Sequence, residues 1–314
     1  MIFSKKINNK MSLNFIPISV NYHYTRLCNF SCGFCFHTQK STEKLPIEDA
    51  YRGLHMLKQA GTKKINFAGG EPFIYPKYLG ELIKHCKENI KIEKLSVITN
   101  GSLVKKDFFE KFAKYIDVFG VSCDSFNKET NIKIGRGRDG ENVNKLFEIR
   151  ELCKKYGIKF KLNTVVCQYN KDENMVENIK KLNPDRWKVF QVLMVKGENE
   201  DSTKLRDVTK FLITNEEFNQ FVERHKEIKC MVPESNETMK SSYLILDEKM
   251  RFLDKGDGEE KCSQSILDVG VEKALNEIFY DEKEFKKRKG DYWMKDNDCI
   301  NCEFNENKTN LMDF

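Results

Sequence analysis

The stretch that decides the fold is Cys28-Asn29-Phe30-Ser31-Cys32-Gly33-Phe34-Cys35. Three thiols fall within these eight residues, with the spacing C-x3-C-x2-C. The run before them, Ile16-Pro17-Ile18-Ser19-Val20-Asn21-Tyr22, alternates apolar residues with others and predicts a strand. The thiols therefore belong to a loop at the carboxyl end of a strand. Three thiolates so close together indicate a metal or cluster that prefers soft ligands.

Two kinds of metal centre are compatible with this loop. Three cysteines on a four-iron cube leave one iron open to a small molecule, and the spacing and the strand context favour this interpretation. The alternative is a zinc site with His37 as its fourth ligand. Structural zinc loops usually come as paired C-x2-C elements, and no second pair lies near Cys35 in the sequence.

Composition narrows the class of protein. The 314 residues are 39% hydrophobic, enough for a sizeable core, and the formal charge of +6 is too small to indicate a nucleic-acid surface. The cysteine count is eleven, and we find neither a signal peptide nor an apolar run of about 18 residues. We therefore expect a reduced, cytoplasmic protein that binds neither membranes nor nucleic acid directly. Residues 1–15 are expected to be a flexible arm.

Strands and helices alternate after the cysteine loop. Further strands are predicted over 64–68, 95–99, 116–123, 158–166 and 187–193, and helices over 46–60, 78–86, 107–115, 143–156 and 175–182. Six strands with helices between them predict an α/β fold, a partial (β/α)6 barrel over residues 16–200. Residues 201–314 are assigned to a C-terminal extension, with a helix over 216–228 and a hairpin of 243–247 with 250–253.

Polar and glycine-rich segments follow the early strands. They are Gly69-Gly70-Glu71-Pro72, Asn100-Gly101-Ser102 and Asp124-Ser125, with Gly135-Arg136-Gly137 further on. Two glycines allow a backbone to approach a ligand, and Glu71 can accept a hydrogen bond from an amino group. Each segment by itself is equally compatible with an ordinary loop, but the carboxyl ends of parallel strands meet at one edge. We therefore expect the segments to line one crevice.

Cations lie within the fifth and sixth strands. Lys161 and Asn163 are two residues apart and share a face, as do Arg186 and Lys188. If the apolar neighbours pack against the helices, these cations point into the barrel, where they require an anion. Phosphate suits such a cluster, to which Lys64 could add. The alternative is that the positions are solvated on a surface strand.

These motifs resemble those of the radical S-adenosylmethionine enzymes, which carry C-x3-C-x2-C after the first strand and Gly-Gly-Glu-Pro after the second. Longer segments resemble the viperins, one family of these enzymes, between about residues 21 and 280. The matching segments are 21–26, 32–38, 65–73, 123–126, 134–137, 183–191, 232–236 and 242–247. Residues 288–293 resemble the family's C-terminal segment, which could fold over the phosphates.

The resemblance implies a radical enzyme that modifies a nucleotide. Viperins convert a nucleoside triphosphate, CTP in the animal proteins, into its 3′-deoxy-3′,4′-didehydro analogue, which terminates viral RNA chains. A [4Fe–4S] cluster and S-adenosylmethionine provide a 5′-deoxyadenosyl radical that removes the hydrogen at C4′. Loss of the 3′-hydroxyl as water, with uptake of one electron and one proton in all, gives the product. The electron implies a donor protein as partner.

Residue roles follow from the same resemblance. The cluster ligands are Cys28, Cys32 and Cys35, and S-adenosylmethionine contacts Phe34, Gly70, Glu71, Asn100, Ser122 and Arg136. The triphosphate and sugar are held by Asn21, Lys64, Lys161, Asn163, Arg186 and Lys188. Lys161 also assists departure of the hydroxyl, and Tyr243 is the candidate donor in the final reduction, although Tyr243 could equally be a core residue of the hairpin.

Some features stay open. Cys299 and Cys302 form a C-x2-C pair that we interpret as incidental surface thiols. In a competing hypothesis they hold an auxiliary cluster of another radical S-adenosylmethionine enzyme, whose substrate is a peptide or a precursor nucleotide. A further alternative is a non-enzymatic zinc-binding module. No residue separates CTP from UTP or GTP, so CTP is expected by analogy alone.

Overall fold

A computed structural model describes residues 15–137, 139, 142–195, 198–199, 205–254, 262–288 and 290–291 of the chain. Ten strands form one sheet in the order β10-β9-β8-β1-β2-β3-β4-β5-β6-β7. The strands are β1 (Ser19–His23), β2 (Lys64–Ala68), β3 (Lys94–Thr99), β4 (Val118–Ser122), β5 (Lys159–Val166), β6 (Arg186–Gln191), β7 (Met231–Glu234), β8 (Leu244–Leu246), β9 (Arg251–Leu253) and β10 (Cys262–Ser265).

Helices connect and cover these strands. They are α1 (Ile47–Gln59), α2 (Pro76–Glu88), α3 (Lys106–Phe112), α4 (Lys128–Ile134), α5 (Asn142–Tyr156), α6 (Val176–Leu182), α7 (Asn215–Arg224), α8 (Asn236–Ser242), α9 (Ile266–Val269), α10 (Val271–Leu275) and α11 (Glu282–Lys287). Short 3-10 helices cover Pro72–Ile74, Ala113–Tyr115 and Val208–Phe211. The predicted α/β class with a partial parallel barrel and a C-terminal extension is confirmed, since β1 to β6 pair in parallel in chain order.

The first predicted strand begins too early. It was expected from Ile16, but β1 starts at Ser19. The reason is Pro17, which has no N–H for a sheet ladder. The backbone turns there, because the N–H of Ile18 donates to the carbonyl of Ile16 at 2.7 Å.

The C-terminal extension joins the sheet at both ends, which the sequence did not predict. β7 adds to β6 in parallel, and β8 adds to β1 in parallel. The predicted hairpin is confirmed, with β8 antiparallel to β9. α4 was also missed; Asn127 caps its start, and Gly135, with φ +88°, ends it.

The two faces of β5 and β6 divide as predicted. Phe160, Leu162, Trp187 and Val189 are fully buried in the main hydrophobic core. Because neighbouring side chains on a strand point to opposite faces, the intervening cations are directed to the other side of the sheet. That side holds the cavity described below.

Parts of the prediction lie outside the described residues, namely residues 1–14 of the arm, Cys299 and Cys302, and the boundary at 200/201. Nine cysteines are described, and all nine are free thiols. Within the ranges that the structure covers, no helix combines the length and apolar character needed to cross a membrane.

Candidate active site

One cavity of about 480 Å³ opens on the inner face of the sheet. Its described lining comes from the cysteine loop, from the inner faces of β1, β2, β5 and β6, and from the C-terminal extension. No carboxylate lies among these lining residues, but seven cationic side chains do: Arg26, Lys64, Arg136, Lys161, Lys188, Arg206 and Arg288. A volume of this size accepts a small-molecule ligand, and the charge excess selects for an anion.

The cysteine loop forms one end of the cavity, which we call the thiol end. Cys28, Cys32 and Cys35 all line the cavity there. The last turn of α4 fixes the loop, since the N–H of Gly33 donates to the carbonyl of Ile134 at 2.9 Å. Gly135 lies so close that a Cβ on it would be 2.4 Å from the carbonyl oxygen of Ser31. Backbone contacts therefore hold the loop rigidly against α4.

Burial dominates the ionisation of the three thiols. It raises the pKa of Cys28 to about 11 and that of Cys32 to about 12, and it raises the pKa of Cys35 as well. The guanidinium of Arg136 acts in the opposite direction on all three. The free thiols are thus protonated near neutral pH, so metal loading must release protons.

The donor set fits an iron–sulfur cluster better than a zinc ion. Among the residues that the structure covers, no group of three or more His, Cys, Asp or Glu side chains is arranged around a single metal ion. His37 is buried in the cavity wall with its ring 4.5 Å, edge-on, from that of His23, and its ring nitrogens make no hydrogen bond to the described residues. The zinc alternative therefore lacks geometric support, whereas three thiols facing one space suit a larger cluster.

Gly69 and Gly70 allow the backbone after β2 to approach the backbone of residues 25–27 closely. The N–H of Gly70 donates to the carbonyl of Thr25 at 2.8 Å, and that of Glu71 donates to the carbonyl of Leu27 at 2.7 Å. A Cβ on Gly70 would lie 2.1 Å from the oxygen of Leu27, so only glycine fits. The pair ties the end of β2 to the entry of the cysteine loop, and both glycines also line the cavity.

Glu71 lies behind the described lining of the cavity and is fully buried. One carboxylate oxygen accepts from the N–H of Phe73 at 2.9 Å and from the hydroxyl of Thr99 at 2.6 Å. The other accepts from the N–H of Asn100 at 2.7 Å. In this arrangement its carboxylate joins the ends of β2 and β3.

The predicted cofactor contacts Phe34, Asn100, Ser122 and Arg136 all line the cavity. Arg136 donates from Nε to the buried carboxylate of Asp124 at 2.5 Å, and its guanidinium lies 6.0 Å from the Phe34 ring centroid. Asn100 donates to the side-chain oxygen of Asn29 at 2.9 Å. These contacts fix polar groups beside the thiols.

Lys64, Lys161 and Lys188 line the other end of the cavity, which we call the cationic end. Burial, together with the charge of Arg186, lowers the pKa of Lys161 to about 8. Burial also lowers the pKa of Lys64, with Lys161 the largest charge contribution. Lys161 forms no hydrogen bond or salt bridge with the described part of the chain. Mutual repulsion among buried cations is relieved by a bound polyanion.

Gly120 on β4 makes room for the Lys161 side chain. The two residues are register partners in the sheet. A Cβ on Gly120 would lie 3.2 Å from Cε of Lys161 and 2.6 Å from Cδ1 of Ile98. The lysine therefore runs across the neighbouring strand, where a larger residue would displace it.

Tyr243, Lys188 and Glu234 form a buried network of hydrogen bonds. The Lys188 ammonium donates to the Tyr243 hydroxyl at 2.7 Å and also to the carboxylate of Glu234. Tyr243 donates to the second oxygen of Glu234 at 2.5 Å. The guanidinium of Arg288 lies over the Tyr243 ring, 3.8 Å from its centroid. The predicted candidate Tyr243 thus lines the cavity beside a predicted phosphate ligand.

The remaining predicted substrate contacts differ in position. Asn21 and Asn163 line the cavity; Asn21 donates to the carbonyl of Leu244 at 3.1 Å, and the Asn163 side-chain oxygen has no described partner. Arg186 lies at the start of β6, outside the described lining. Arg186 is the register partner of Lys161, and its charge lowers the pKa of Lys161.

Several cavity residues were not selected from the sequence. They are His23, Arg26, Arg206 and Arg288, with Glu234 immediately behind the wall. Arg288 lies in the 288–293 segment, which the resemblance linked to the phosphates. Glu234 lies in the matched segment Val232-Pro233-Glu234-Ser235-Asn236. Hydrophobic periodicity gives no signal for such residues, because their partners are distant in sequence.

Comparisons with known proteins agree with this geometry. The profile of the Radical SAM superfamily matches residues 22–182. An S-adenosylmethionine-dependent nucleotide dehydratase RSAD2 of Oncorhynchus mykiss is 49% identical over 296 residues, which cover 93% of this chain and 85% of that protein. An S-adenosylmethionine-dependent nucleotide dehydratase of Flammeovirga pacifica is 36% identical over 298 residues, 92% of this chain and 100% of that protein.

Solved structures agree on the fold. The crystal structure of Streptococcus suis SuiB bound to S-adenosylmethionine aligns with a TM-score of 0.62 at 18% sequence identity. The alignment covers 87% of this chain and 67% of SuiB. At this identity the likeness establishes the shared architecture and nothing about the substrate.

Proposed function

Because this chain belongs to the family of S-adenosylmethionine-dependent nucleotide dehydratases within the radical SAM superfamily, we propose that it dehydrates the ribose of a nucleoside triphosphate. The product is the 3′-deoxy-3′,4′-didehydro nucleotide, a chain terminator of viral RNA synthesis, and CTP is the first candidate substrate. One observation supports this most: three thiols and seven cations line one cavity whose described wall has no carboxylate.

The cofactors of this superfamily are a [4Fe–4S] cluster and S-adenosylmethionine. When bound, they supply a 5′-deoxyadenosyl radical that takes the hydrogen atom from C4′ of the ribose. In the proposal Cys28, Cys32 and Cys35 hold the cluster at the thiol end. S-adenosylmethionine lies against Phe34, Gly70, Asn100, Ser122 and Arg136, and Glu71 supports this wall from behind.

The cationic end is proposed to hold the triphosphate. Lys64, Lys161 and Lys188 face the cavity, and Arg186 adds its charge from the start of β6. Asn21 and Asn163 lie on β1 and β5 and offer side-chain oxygens to the sugar or the phosphates. Charge-assisted hydrogen bonds from several cations orient the nucleotide, so that its ribose lies between the two ends of the cavity.

Two residues are assigned to the chemistry. Departure of the 3′-hydroxyl as water requires one proton, and Lys161, whose pKa is about 8, carries one near neutral pH. Loss of that water leaves a substrate radical cation that lacks one electron, and Tyr243 supplies this electron while its phenolic proton is released. The tyrosyl radical so formed regains one electron from a donor protein and one proton from solvent, so no hydrogen atom is added to the nucleotide and atoms and electrons balance.

The experiment is anaerobic incubation with S-adenosylmethionine, dithionite and each of CTP, UTP, GTP and ATP in turn. We expect 5′-deoxyadenosine together with a nucleotide lighter by one water, most with CTP. Formation of 5′-deoxyadenosine without any dehydrated nucleotide would overturn the proposed reaction. A preference for UTP or GTP would change the substrate while leaving the reaction in place.

Iron counting addresses the auxiliary-cluster hypothesis. About four irons per chain are expected if only Cys28, Cys32 and Cys35 hold a cluster, and about eight if Cys299 and Cys302 support a second one. The Cys299→Ala/Cys302→Ala double variant should keep its full iron content. The family match to nucleotide dehydratases already disfavours a peptide substrate and a zinc-binding module.

The proposed enzyme works in a particular compartment and with particular partners. We place it in the reducing cytoplasm, where a one-electron donor protein is available and the six described cysteines other than the three cluster ligands stay as free thiols. Its ligands are the nucleotide and S-adenosylmethionine, without direct binding of nucleic acid, in keeping with a formal charge of only +6.

A further inference from the structure

Glu234 is a buried carboxylate at the end of β7, placed against the most cationic part of the cavity. Its side chain is 0% exposed, and its register partner on β6 is Phe190, two residues after Lys188. The described cavity lining itself carries no Asp or Glu. A carboxylate directly behind a cationic site repels the anionic ligand that the site would bind. The presence of Glu234 therefore needs an explanation.

The contacts of Glu234 connect three residues. One oxygen accepts from the Lys188 ammonium and lies 3.7 Å from Nη1 of Arg288, and the other accepts from the Tyr243 hydroxyl at 2.5 Å. Lys188 also donates to the same hydroxyl at 2.7 Å, which closes a ring of three hydrogen bonds. Arg288 covers the ring face of Tyr243 and is fixed in turn by its bonds to Ser242, both at 2.7 Å.

Glu234 is ionised in this setting. Burial alone would raise its pKa, but the charges of Lys188 and Arg288 outweigh that effect and lower the pKa to about 2. A Lys ammonium has three N–H donors. Two of those on Lys188 are directed to Glu234 and Tyr243, which leaves one for a phosphate oxygen.

We propose that Glu234 is a positioning residue that holds the Tyr243 hydroxyl and the Lys188 ammonium in fixed places, at the expense of triphosphate affinity. This inference rests on the proposed function, because it gives the two held groups their roles. Fixing Tyr243 keeps its hydroxyl next to the ribose, so that each hydrogen removed at C4′ leads to product. Glu234 retains one of the three Lys188 donors, which weakens binding of the nucleotide, since the carboxylate competes with phosphate for the same ammonium.

The test is Glu234→Gln, which removes the charge and keeps the size. Two effects of opposite sign are expected. The Kd for the nucleoside triphosphate, measured by calorimetry on the cluster-loaded enzyme with S-adenosylmethionine, should fall by about fivefold because an anion near the phosphates is lost. The coupling ratio, meaning dehydrated nucleotide formed per 5′-deoxyadenosine, should fall by about tenfold because Tyr243 is no longer fixed.

Two further variants separate positioning from general stability. Glu234→Asp keeps the charge but shortens the reach, so we expect a reduced coupling ratio without tighter binding. Glu248→Gln is the matched control, because Glu248 is also a buried carboxylate and pairs with the cavity residue Arg26 at 2.9 Å. It should neither tighten nucleotide binding nor lower the coupling ratio.

A structural role alone would weaken binding or leave it unchanged. Unchanged or weaker binding by Glu234→Gln, or an unchanged coupling ratio, overturns the assignment. If Glu234→Gln fails to fold, the coupling ratio of Glu234→Asp tests the assignment. A normal ratio in that variant overturns the assignment as well. Failure of the wild-type enzyme to dehydrate any nucleotide would instead overturn the proposed function.

Discussion

The two ends of the cavity are built in different ways. At the thiol end, backbone hydrogen bonds fix the cysteine loop, and Arg136, whose charge acts on all three thiols, has a dedicated anion in Asp124. At the cationic end, Lys64, Lys161 and Lys188 come from three strands, their charges act against one another, and Glu234, which pairs with Lys188, neutralises only part of that charge. The thiol end is therefore complete in charge before any nucleotide binds, whereas the cationic end is completed by its ligand.

This difference suits the two proposed tasks. A radical source must be held rigidly, because a small displacement changes which hydrogen it reaches. A substrate site must bind and release a highly charged molecule in each cycle, so repulsion stored among its cations is useful. The predictions below test whether the two ends behave independently, starting with the largest expected effect.

Cys32→Ala should abolish the reaction. The thiol lines the cavity and is one of only three proposed cluster ligands, so its loss should remove most of the iron and all formation of 5′-deoxyadenosine above background. The measurement is chromatographic quantitation of 5′-deoxyadenosine with dithionite as reductant. Cys262→Ala, on β10 and outside the described cavity lining, is the control and should keep both iron and turnover. Normal formation of 5′-deoxyadenosine by Cys32→Ala would refute the cluster assignment.

Lys161→Met should separate the two ends. We expect the Kd for the triphosphate to rise about tenfold to hundredfold, as for loss of a hydrogen bond to a charged group. Binding of S-adenosylmethionine should be unaffected, since Lys161 lies at the cationic end. Calorimetry with each ligand measures both constants. Lys159→Met, on an exposed position of the same strand, provides the matched control. Equal weakening of both ligands would contradict the independence of the two ends.

Gly70→Ala tests the rigidity of the thiol end. The added Cβ would meet the carbonyl oxygen of Leu27 at 2.1 Å, so one of the two backbones must shift. We expect the free energy of unfolding to fall by about 1–3 kcal/mol, together with a lower iron content. Chemical denaturation and iron analysis report these two effects. Gly157→Ala is the control, because no atom lies within 4 Å of the Cβ position there, although its φ of +67° adds a modest strain of its own. Equal losses in both variants would show that the close approach at Gly70 is not special.

The same contrast explains how far the sequence could predict the site. The grouping of the three thiols in one wall was predictable because they lie within eight residues and the segments that support them follow successive strands. The inward direction of Lys161 and Lys188 followed from strand alternation with Phe160 and Trp187. What could not be predicted comes from long-range contacts, such as Glu234 with Lys188 across 46 residues. Those contacts exist because β7 and β8 join opposite ends of the sheet, which no local pattern encodes.

The smallest effect expected is a change in protonation when the nucleotide binds. At pH 8 Lys161 is about half protonated, because its pKa is about 8. A bound triphosphate brings negative charge beside it, which raises that pKa and draws a proton from solvent. Nucleotide binding should therefore add about half a proton from solvent to Lys161 at pH 8. The uptake should be smaller at pH 7, where the lysine already carries its proton.

Calorimetry in buffers of different ionisation enthalpy measures this uptake directly, since the observed heat varies linearly with the enthalpy of the buffer. Lys161→Met should reduce the uptake at pH 8, while Lys159→Met should not. Because Lys64 also has a lowered pKa, part of the uptake should persist in Lys161→Met. Net proton release at pH 8 would mean that the cations are already fully charged without the nucleotide. The cationic end would then be as complete before binding as the thiol end, and the contrast between them would fail.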